Sequence, residues 1–164
     1  MSLTFAPATL ADLDLIADNE ARSYLPDEAA SREQLENRIK YASECDPNLF
    51  LVAWKGTTLA GFVCTTLSTA PLVTDESMKT HEPNGKTLCL HSVCTNPDLR
   101  HQKVATRLMT HWIQLLKDSK KYNRIALISR PTLISLYESV GFKYVGKSNI
   151  VHGPDPWYDC VLDL

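Results

Sequence analysis

The sequence lacks the hallmarks of several protein classes. Its 164 residues include five cysteines, an odd number without a C-x-x-C pair, which argues against a disulfide framework and against a zinc site. No apolar run is long enough to span a bilayer, and the first residues resemble neither a signal peptide nor a transit peptide. The net charge is −2 and no basic stripe is present, so nucleic acid is not an expected partner. We therefore expect a cytoplasmic protein without a metal.

The apolar residues that are present follow the periods of strands and helices. Strands are predicted at residues 3–7, 48–54, 59–66, 88–95, 124–129, 144–150 and 157–164. Helices are predicted at residues 9–24, 31–42, 104–116 and 133–140, and Ser31 with Gln34 forms a capping box. This order, β-α-α-β-β-β-α-β-α-β-β, predicts one α/β domain over residues 1–164. Its mixed, largely antiparallel sheet is covered by helices on both faces.

The segment 88–108 predicts a binding site for an anion. A buried strand over residues 88–95 is followed by the turn residues Asn96, Pro97 and Asp98, and a helix begins at Val104. The first N–H groups of a helix have no partner within it, and the helix dipole places positive charge there. A phosphate-bearing cofactor is therefore expected at this strand–helix junction.

Two motifs bear on the identity of this site. The first opens the predicted helix and reads Arg100-His101-Gln102-Lys103-Val104-Ala105, and the second reads Tyr137-Glu138-Ser139-Val140-Gly141-Phe142. Together they resemble the GNAT (GCN5-related N-acetyltransferase) superfamily. Residues 72–91, with the pattern E-S-x-x-x-H-x-P-x-G before a His-bearing strand, resemble the arylalkylamine (serotonin) N-acetyltransferases. We expect no regulatory tails of the vertebrate kind, so the resemblance implies the shorter, non-vertebrate type. It implies a GNAT fold and direct acetyl transfer from acetyl-CoA to an amine in a ternary complex.

The resemblance also implies the cofactor contacts. The pantetheine arm would pair with the backbone of Val93, Cys94 and Thr95, and the pyrophosphate would rest on the amides of His101, Gln102, Lys103, Val104, Ala105 and Thr106. Lys103 stands where the family has its first glycine. If this position has positive φ, a non-glycine residue costs about 1–2 kcal/mol. The lysine charge offsets this cost if it lies near the phosphates.

Catalytic roles follow from the same comparison. An alkylamine must lose a proton before it attacks, and the leaving thiolate benefits from an acid. Tyr137 matches the family acid near the CoA sulfur, although it also fits an apolar helix face. His91 matches one of two strand histidines, but Cys89 occupies the other position, and a neutral thiol is a poor base. Glu28 is the rival base, and ordinary structural roles stay open for both residues.

Several acceptors remain possible at this stage. Ile128, Leu25 and Pro26 match positions near the amine pocket, and their apolar side chains suit an indole or phenyl ring. The acidic residues Asp27, Glu28, Asp75 and Glu76 equally suit a polyamine. The leading hypothesis is an arylalkylamine N-acetyltransferase, with a polyamine acetyltransferase and a non-catalytic acyl-CoA-binding module as alternatives. The small amine and acetyl-CoA are the expected partners, and we expect a monomer or weak dimer.

Overall fold

The computed structural model describes residues 2–164 and contains seven strands and four α-helices in this part of the chain. The strands are β1 (Thr4–Pro7), β2 (Phe50–Lys55), β3 (Thr58–Ser68), β4 (Thr87–Thr95), β5 (Arg124–Ser129), β6 (Lys143–Lys147) and β7 (Tyr158–Asp163). The helices are α1 (Leu13–Ser23), α2 (Arg32–Cys45), α3 (Val104–Ser119) and α4 (Ile134–Ser139). The predicted order of elements is confirmed, with ends displaced by a few residues.

The strands form one sheet in the order β1-β2-β3-β4-β5-β7-β6. Strands β4 and β5 pair in parallel, whereas β1 with β2, β2 with β3, β5 with β7 and β6 with β7 pair antiparallel. The predicted mixed, largely antiparallel sheet is thus confirmed. No helix among the described residues is long and apolar enough to cross a membrane.

The chain divides into two compact units, and the first comprises the residues up to Cys64 together with Ser92–Trp112. In this unit the predicted capping box opens α2: the Gln34 amide donates to Ser31 Oγ (3.1 Å), and the Ser31 amide donates to Gln34 Oε1 (2.8 Å). The Trp112 indole is fully buried and donates to the Asn48 carbonyl (2.9 Å). The N–H of this buried indole therefore has a partner.

The second unit comprises Thr65–His91 and Ile113–Leu164. It contains a buried apolar cluster of Val73, Cys89, Ala126, Ile150 and Val161, against which the half-buried Leu72, Met78 and Ile128 pack. The cluster joins the sheet to the segment 69–86, which connects β3 to β4. This segment is folded onto the sheet through its own apolar side chains. The interpretation of residues 1–164 as a single domain stays a prediction.

Candidate active site

The C-terminal end of β4 is fixed by Asn96. Its amide donates to the Ala60 carbonyl (2.8 Å), its side-chain Nδ2 donates to the Leu59 carbonyl (2.9 Å), and its Oδ1 accepts from the Asp98 amide (2.9 Å). One buried side chain thus ties β4 to β3 and shapes the turn that follows. These hydrogen bonds fix the first residues of the loop that is predicted to bind the phosphates.

Strands β3 and β4 approach closely at Gly61. A Cβ atom at this position would lie 2.6 Å from the Cys94 carbonyl oxygen and 3.2 Å from Val104 Cγ1. Only glycine fits there without a displacement of the backbone. Gly61 therefore sets the position of β4 and of the first residue of α3.

The predicted pantetheine strand accepts hydrogen bonds from the last residue of α1 and from the residue that follows it. Tyr24 Oη donates to the Val93 carbonyl (3.1 Å), and Ser23 Oγ donates to the Thr95 carbonyl (3.3 Å). The Cys94 thiol is buried, and burial raises its pKa to about 12, so it remains a neutral thiol. Each carbonyl keeps a second lone pair for a ligand. The predicted contact of Val93, Cys94 and Thr95 with pantetheine is therefore one of backbone groups and does not use the Cys94 thiol.

A buried carboxylate that sequence analysis missed lies behind β4. Glu20 is 3% exposed; its Oε1 accepts from Ser92 Oγ (3.2 Å) and its Oε2 accepts from the Ala30 amide (2.9 Å). Burial raises the pKa of Glu20, an effect opposed by these two hydrogen bonds and by the charge of Arg38. Glu20 thereby ties the α1–α2 connection to β4.

The α1–α2 connection carries three predicted site residues. Leu25, Pro26 and Glu28 are exposed, and the Leu25 carbonyl accepts from the amides of both Glu28 and Ala29 (2.9 Å each). The segment is therefore a hydrogen-bonded turn at the surface of the first unit. The roles of Leu25 and Pro26 in acceptor binding and of Glu28 as a base stay predictions.

The loop before α3 contains two residues in the left-handed region. His101 has φ of 65° and Lys103 has φ of 59°, although neither is glycine. The Arg107 amide donates to the Lys103 carbonyl (3.0 Å), so the helical bonds begin at Lys103, and the first turn of α3 holds no acidic residue. Left-handed residues before a helix turn backbone N–H groups toward one concave surface, which suits an anion. The backbone of His101 and Lys103 fits a bound pyrophosphate, and the assignment of Gln102, Val104, Ala105 and Thr106 to it stays a prediction.

In the second unit, the ladder between β4 and β5 is short. It joins three residue pairs, from Thr87–Arg124 to Cys89–Ala126. Strand β4 continues beyond this ladder to Thr95, and β5 continues to Ser129. His91, the predicted base, lies two residues beyond Cys89 and so on the same face of the sheet. This is the face on which Ile128, the predicted acceptor residue, packs against the apolar cluster.

The motif E-S-x-x-x-H-x-P-x-G has a structural explanation in the fold of segment 69–86. The Thr74 amide donates to Ser77 Oγ (2.9 Å), and the Ser77 amide donates to Thr74 Oγ1 (3.0 Å). The Leu67 amide donates to Nδ1 of His81 (3.1 Å), and burial lowers the pKa of that imidazole. A Cβ atom at Gly85 would lie 2.5 Å from the Ser68 carbonyl oxygen. The motif thus holds the segment against the sheet.

Cys89 stands where the family has its second histidine. Burial raises the pKa of its thiol, an effect opposed by hydrogen bonds with Ser77 and Ser68. The thiol is therefore protonated at neutral pH and cannot accept the amine proton. The chain thus has no second base at this position, and the group that takes the amine proton stays a prediction.

Tyr137 lies on α4 and is buried, with 8% of its surface exposed. Its ring packs edge-on against Phe142, with 5.7 Å between ring centroids, and its carbonyl accepts from the Phe142 amide (3.1 Å). Burial raises the pKa of Tyr137 to about 12. The phenol is consequently protonated at neutral pH, as an acid must be.

Comparison with known proteins identifies the family. The profile of the acetyltransferase (GNAT) family matches residues 13–142. The chain belongs to this family. Over 117 positions this chain is 27% identical to the serotonin N-acetyltransferase of Mesocricetus auratus. The matched positions make up 71% of this chain and 56% of that protein. The GNAT chain therefore spans little more than half of this relative.

Solved structures show the same fold. The loading GNATL domain of CurA from Lyngbya majuscula superposes with a TM-score of 0.85 at 12% identity and covers 99% of this chain and 98% of its own. The GphF GNAT-like decarboxylase in complex with isobutyryl-CoA has a TM-score of 0.80 at 16% identity and covers 99% of both chains. Among the described residues no group of histidine, cysteine and acidic side chains is arranged to hold a metal.

Proposed function

We propose that this GNAT protein transfers the acetyl group of acetyl-CoA to the primary amine of a small arylalkylamine. The observation that carries the proposal is the apolar surface in the second unit, where Leu72, Met78 and Ile128 pack beside the strand that bears His91. Apolar lining next to a polar group suits an aromatic ring that carries an alkylamine. The match to a serotonin N-acetyltransferase supports the same substrate class.

The cosubstrate is assigned to the junction of β4 and α3. The donors assigned to the pyrophosphate are backbone N–H groups. They belong to the loop in which His101 and Lys103 have positive φ and to the first turn of α3. The backbone of Val93, Cys94 and Thr95 continues beyond the three-pair ladder and is assigned to the pantetheine. Acetyl-CoA supplies an activated thioester, and the GphF structure with isobutyryl-CoA supports this class of ligand for the fold.

Two proton transfers are assigned to side chains of this chain. The ammonium of the acceptor loses its proton to His91 or to Glu28, either directly or through water, because only the neutral amine attacks the thioester. The phenol of Tyr137 then donates to the leaving thiolate, since it keeps its proton at every pH well below about 12. The bond that forms joins the amine nitrogen to the acetyl carbon, and the bond that breaks is the carbon–sulfur bond.

A polyamine is the second candidate acceptor. Asp75 and Glu76 are exposed on the segment that packs on the apolar cluster, and their charges suit a polycation. A non-catalytic acyl-CoA-binding module is disfavoured because the chain retains both His91 and a protonated, buried Tyr137. Five free cysteines support the reducing cytoplasm as the compartment.

The decisive experiment measures acetyl transfer from acetyl-CoA to tryptamine, serotonin, phenethylamine and spermine. The proposal expects the aromatic amines to have the highest kcat/KM. A preference for spermine would replace it with the polyamine function, and no transfer to any of the four would favour the binding module.

Variants identify the residues that move protons. Tyr137→Phe is expected to lower kcat by about 10²-fold or more without change in the melting temperature. Of His91→Ala and Glu28→Ala, the substitution of the true base removes the acidic limb of the pH–rate profile. A Glu28→Ala enzyme with an unchanged profile would eliminate the glutamate.

A further inference from the structure

The second unit contains a buried carboxylate without a complete set of partners. Asp159 on β7 is 6% exposed, and its Oδ1 accepts no hydrogen bond from the described residues. Among those residues, no basic side chain forms an ion pair with Asp159, and burial raises the pKa of its carboxyl. A buried acceptor without a donor is costly, so native proteins retain one where a ligand or water completes it.

The register of the sheet places Asp159 beside the proposed acceptor surface. Asp159 pairs with Ile128, and Val161 pairs with Ala126. Paired residues share a face of the sheet, and Ala126, Val161 and Cys89 all belong to the apolar cluster on this face. The carboxylate therefore borders the surface that packs around Ile128.

The neighbour of Asp159 on the other side has no side chain. On β6 the paired residue is Gly146, at which a Cβ atom would meet no atom within 4 Å. Strand β5 lies between β4 and β7, so Cys89 and Val161, which both pair with Ala126, are roughly 10 Å apart. Asp159 is two residues from Val161 and His91 is two residues from Cys89, beyond the last β4–β5 pair, so an elongated amine can extend from β4 toward Asp159.

We propose that Asp159 binds a hydrogen-bond donor at the end of the acceptor remote from the reacting amine. The shared chemistry is an N–H or O–H group: the ring hydroxyl of an arylalkylamine or the second ammonium of a diamine. The inference rests on the proposed function and adds a specificity residue to it. A donor of either kind satisfies Oδ1, and an ammonium also neutralises the carboxylate.

The test uses matched pairs of amines that differ in the remote donor. Tyramine has a ring hydroxyl that phenethylamine lacks, and 1,4-diaminobutane has an ammonium that butylamine lacks. Asp159→Asn is expected to lower kcat/KM by about 10-fold or more for the donor-bearing member of one pair, mainly through KM. The other member is expected to change by no more than about 2-fold. The pair that shows the difference identifies the donor.

Asp163→Asn is the control, because Asp163 lies on the same strand and pairs with Arg124 (2.7 Å). It is expected to leave both pairs unchanged. An equal loss for both members of each pair in Asp159→Asn, or an unchanged KM for all four amines, overturns the inference while the proposed function stands. A wild-type protein that acetylates none of the amines overturns both. Melting temperatures of the two variants verify that each is folded.

Discussion

Replacing Lys103 with glycine is expected to make the protein more stable. Lys103 has φ of 59°, a conformation that costs a residue with a Cβ about 1–2 kcal/mol. Glycine adopts it without that cost but loses roughly 0.5–1 kcal/mol more backbone entropy on folding. The net gain is about 0.5–1 kcal/mol, which raises the melting temperature of a domain of this size by roughly 1–4 °C. Scanning calorimetry measures this shift.

The same substitution is expected to weaken the binding of acetyl-CoA. Lys103 is exposed at the start of α3, where its charge lies beside the proposed pyrophosphate site. An exposed charge pair contributes about 0.2–1 kcal/mol, so the dissociation constant is expected to rise by about 1.5- to 5-fold. The difference should shrink at high ionic strength because salt screens exposed charges. Isothermal titration calorimetry at low and high salt measures both effects.

Lys120 provides a matched control. It is an exposed lysine with φ of 55° that directly follows Ser119, the last residue of α3. Lys120→Gly therefore relieves the same backbone strain at the helix end that is not assigned to a phosphate. It is expected to raise the melting temperature as Lys103→Gly does and to leave the dissociation constant unchanged.

Two results would refute this reasoning. If Lys103→Gly binds acetyl-CoA as tightly as wild type or more tightly, the lysine charge has no part in phosphate binding. If Lys120→Gly is stabilised and Lys103→Gly is not, the positive φ of Lys103 is not a source of strain. In that case the loop before α3 is held by contacts of the lysine side chain.

Two further predictions concern residues that position β4. Because burial raises the pKa of Glu20 above 4.5, its stabilising contribution is complete below pH 4.5 and is lost as pH rises through the higher value of the folded state. In Glu20→Gln the free energy of unfolding, measured with urea, should therefore depend less on pH between about pH 4 and 7. A pH dependence equal to that of the wild type would contradict the raised pKa of Glu20. Gly61→Ala should lower the unfolding free energy by about 1–3 kcal/mol because its Cβ meets the Cys94 carbonyl oxygen at 2.6 Å. Gly56→Asn is its control, since asparagine tolerates φ of 61° and Gly56 has open space around it; equal losses in both variants would rule out the steric cause.

Local signals predicted the elements because their causes lie within a few residues. The capping pair Ser31 and Gln34 marks the start of α2, and the hydrogen bonds that it predicts are present. The strain predicted at Lys103 is conditional on a positive φ, and the structure gives φ of 59° there. The C-terminal ends of β6 and α3 were less accurate, because a strand ends where its partner ends and helix ends fray.

Long-range pairing decided the features that no local pattern reveals. Glu20 falls on the apolar stripe of α1 with Leu13 and Ile16, a sign that a carboxylate would be buried, but its partners Ser92 and Ala30 follow only from packing.

By itself, the sequence determined the order of strands and helices, the strand–helix junction assigned to acetyl-CoA, and the presence of His91 and Tyr137. These depend on residue type and on contacts between near neighbours. Only the tertiary structure decided that Asp159 is buried beside Ile128 with an oxygen unpaired, and that burial raises the pKa of Cys89. The reason is physical: the protonation and hydrogen bonding of a side chain depend on burial and on its neighbours in space, and distant parts of the chain supply both.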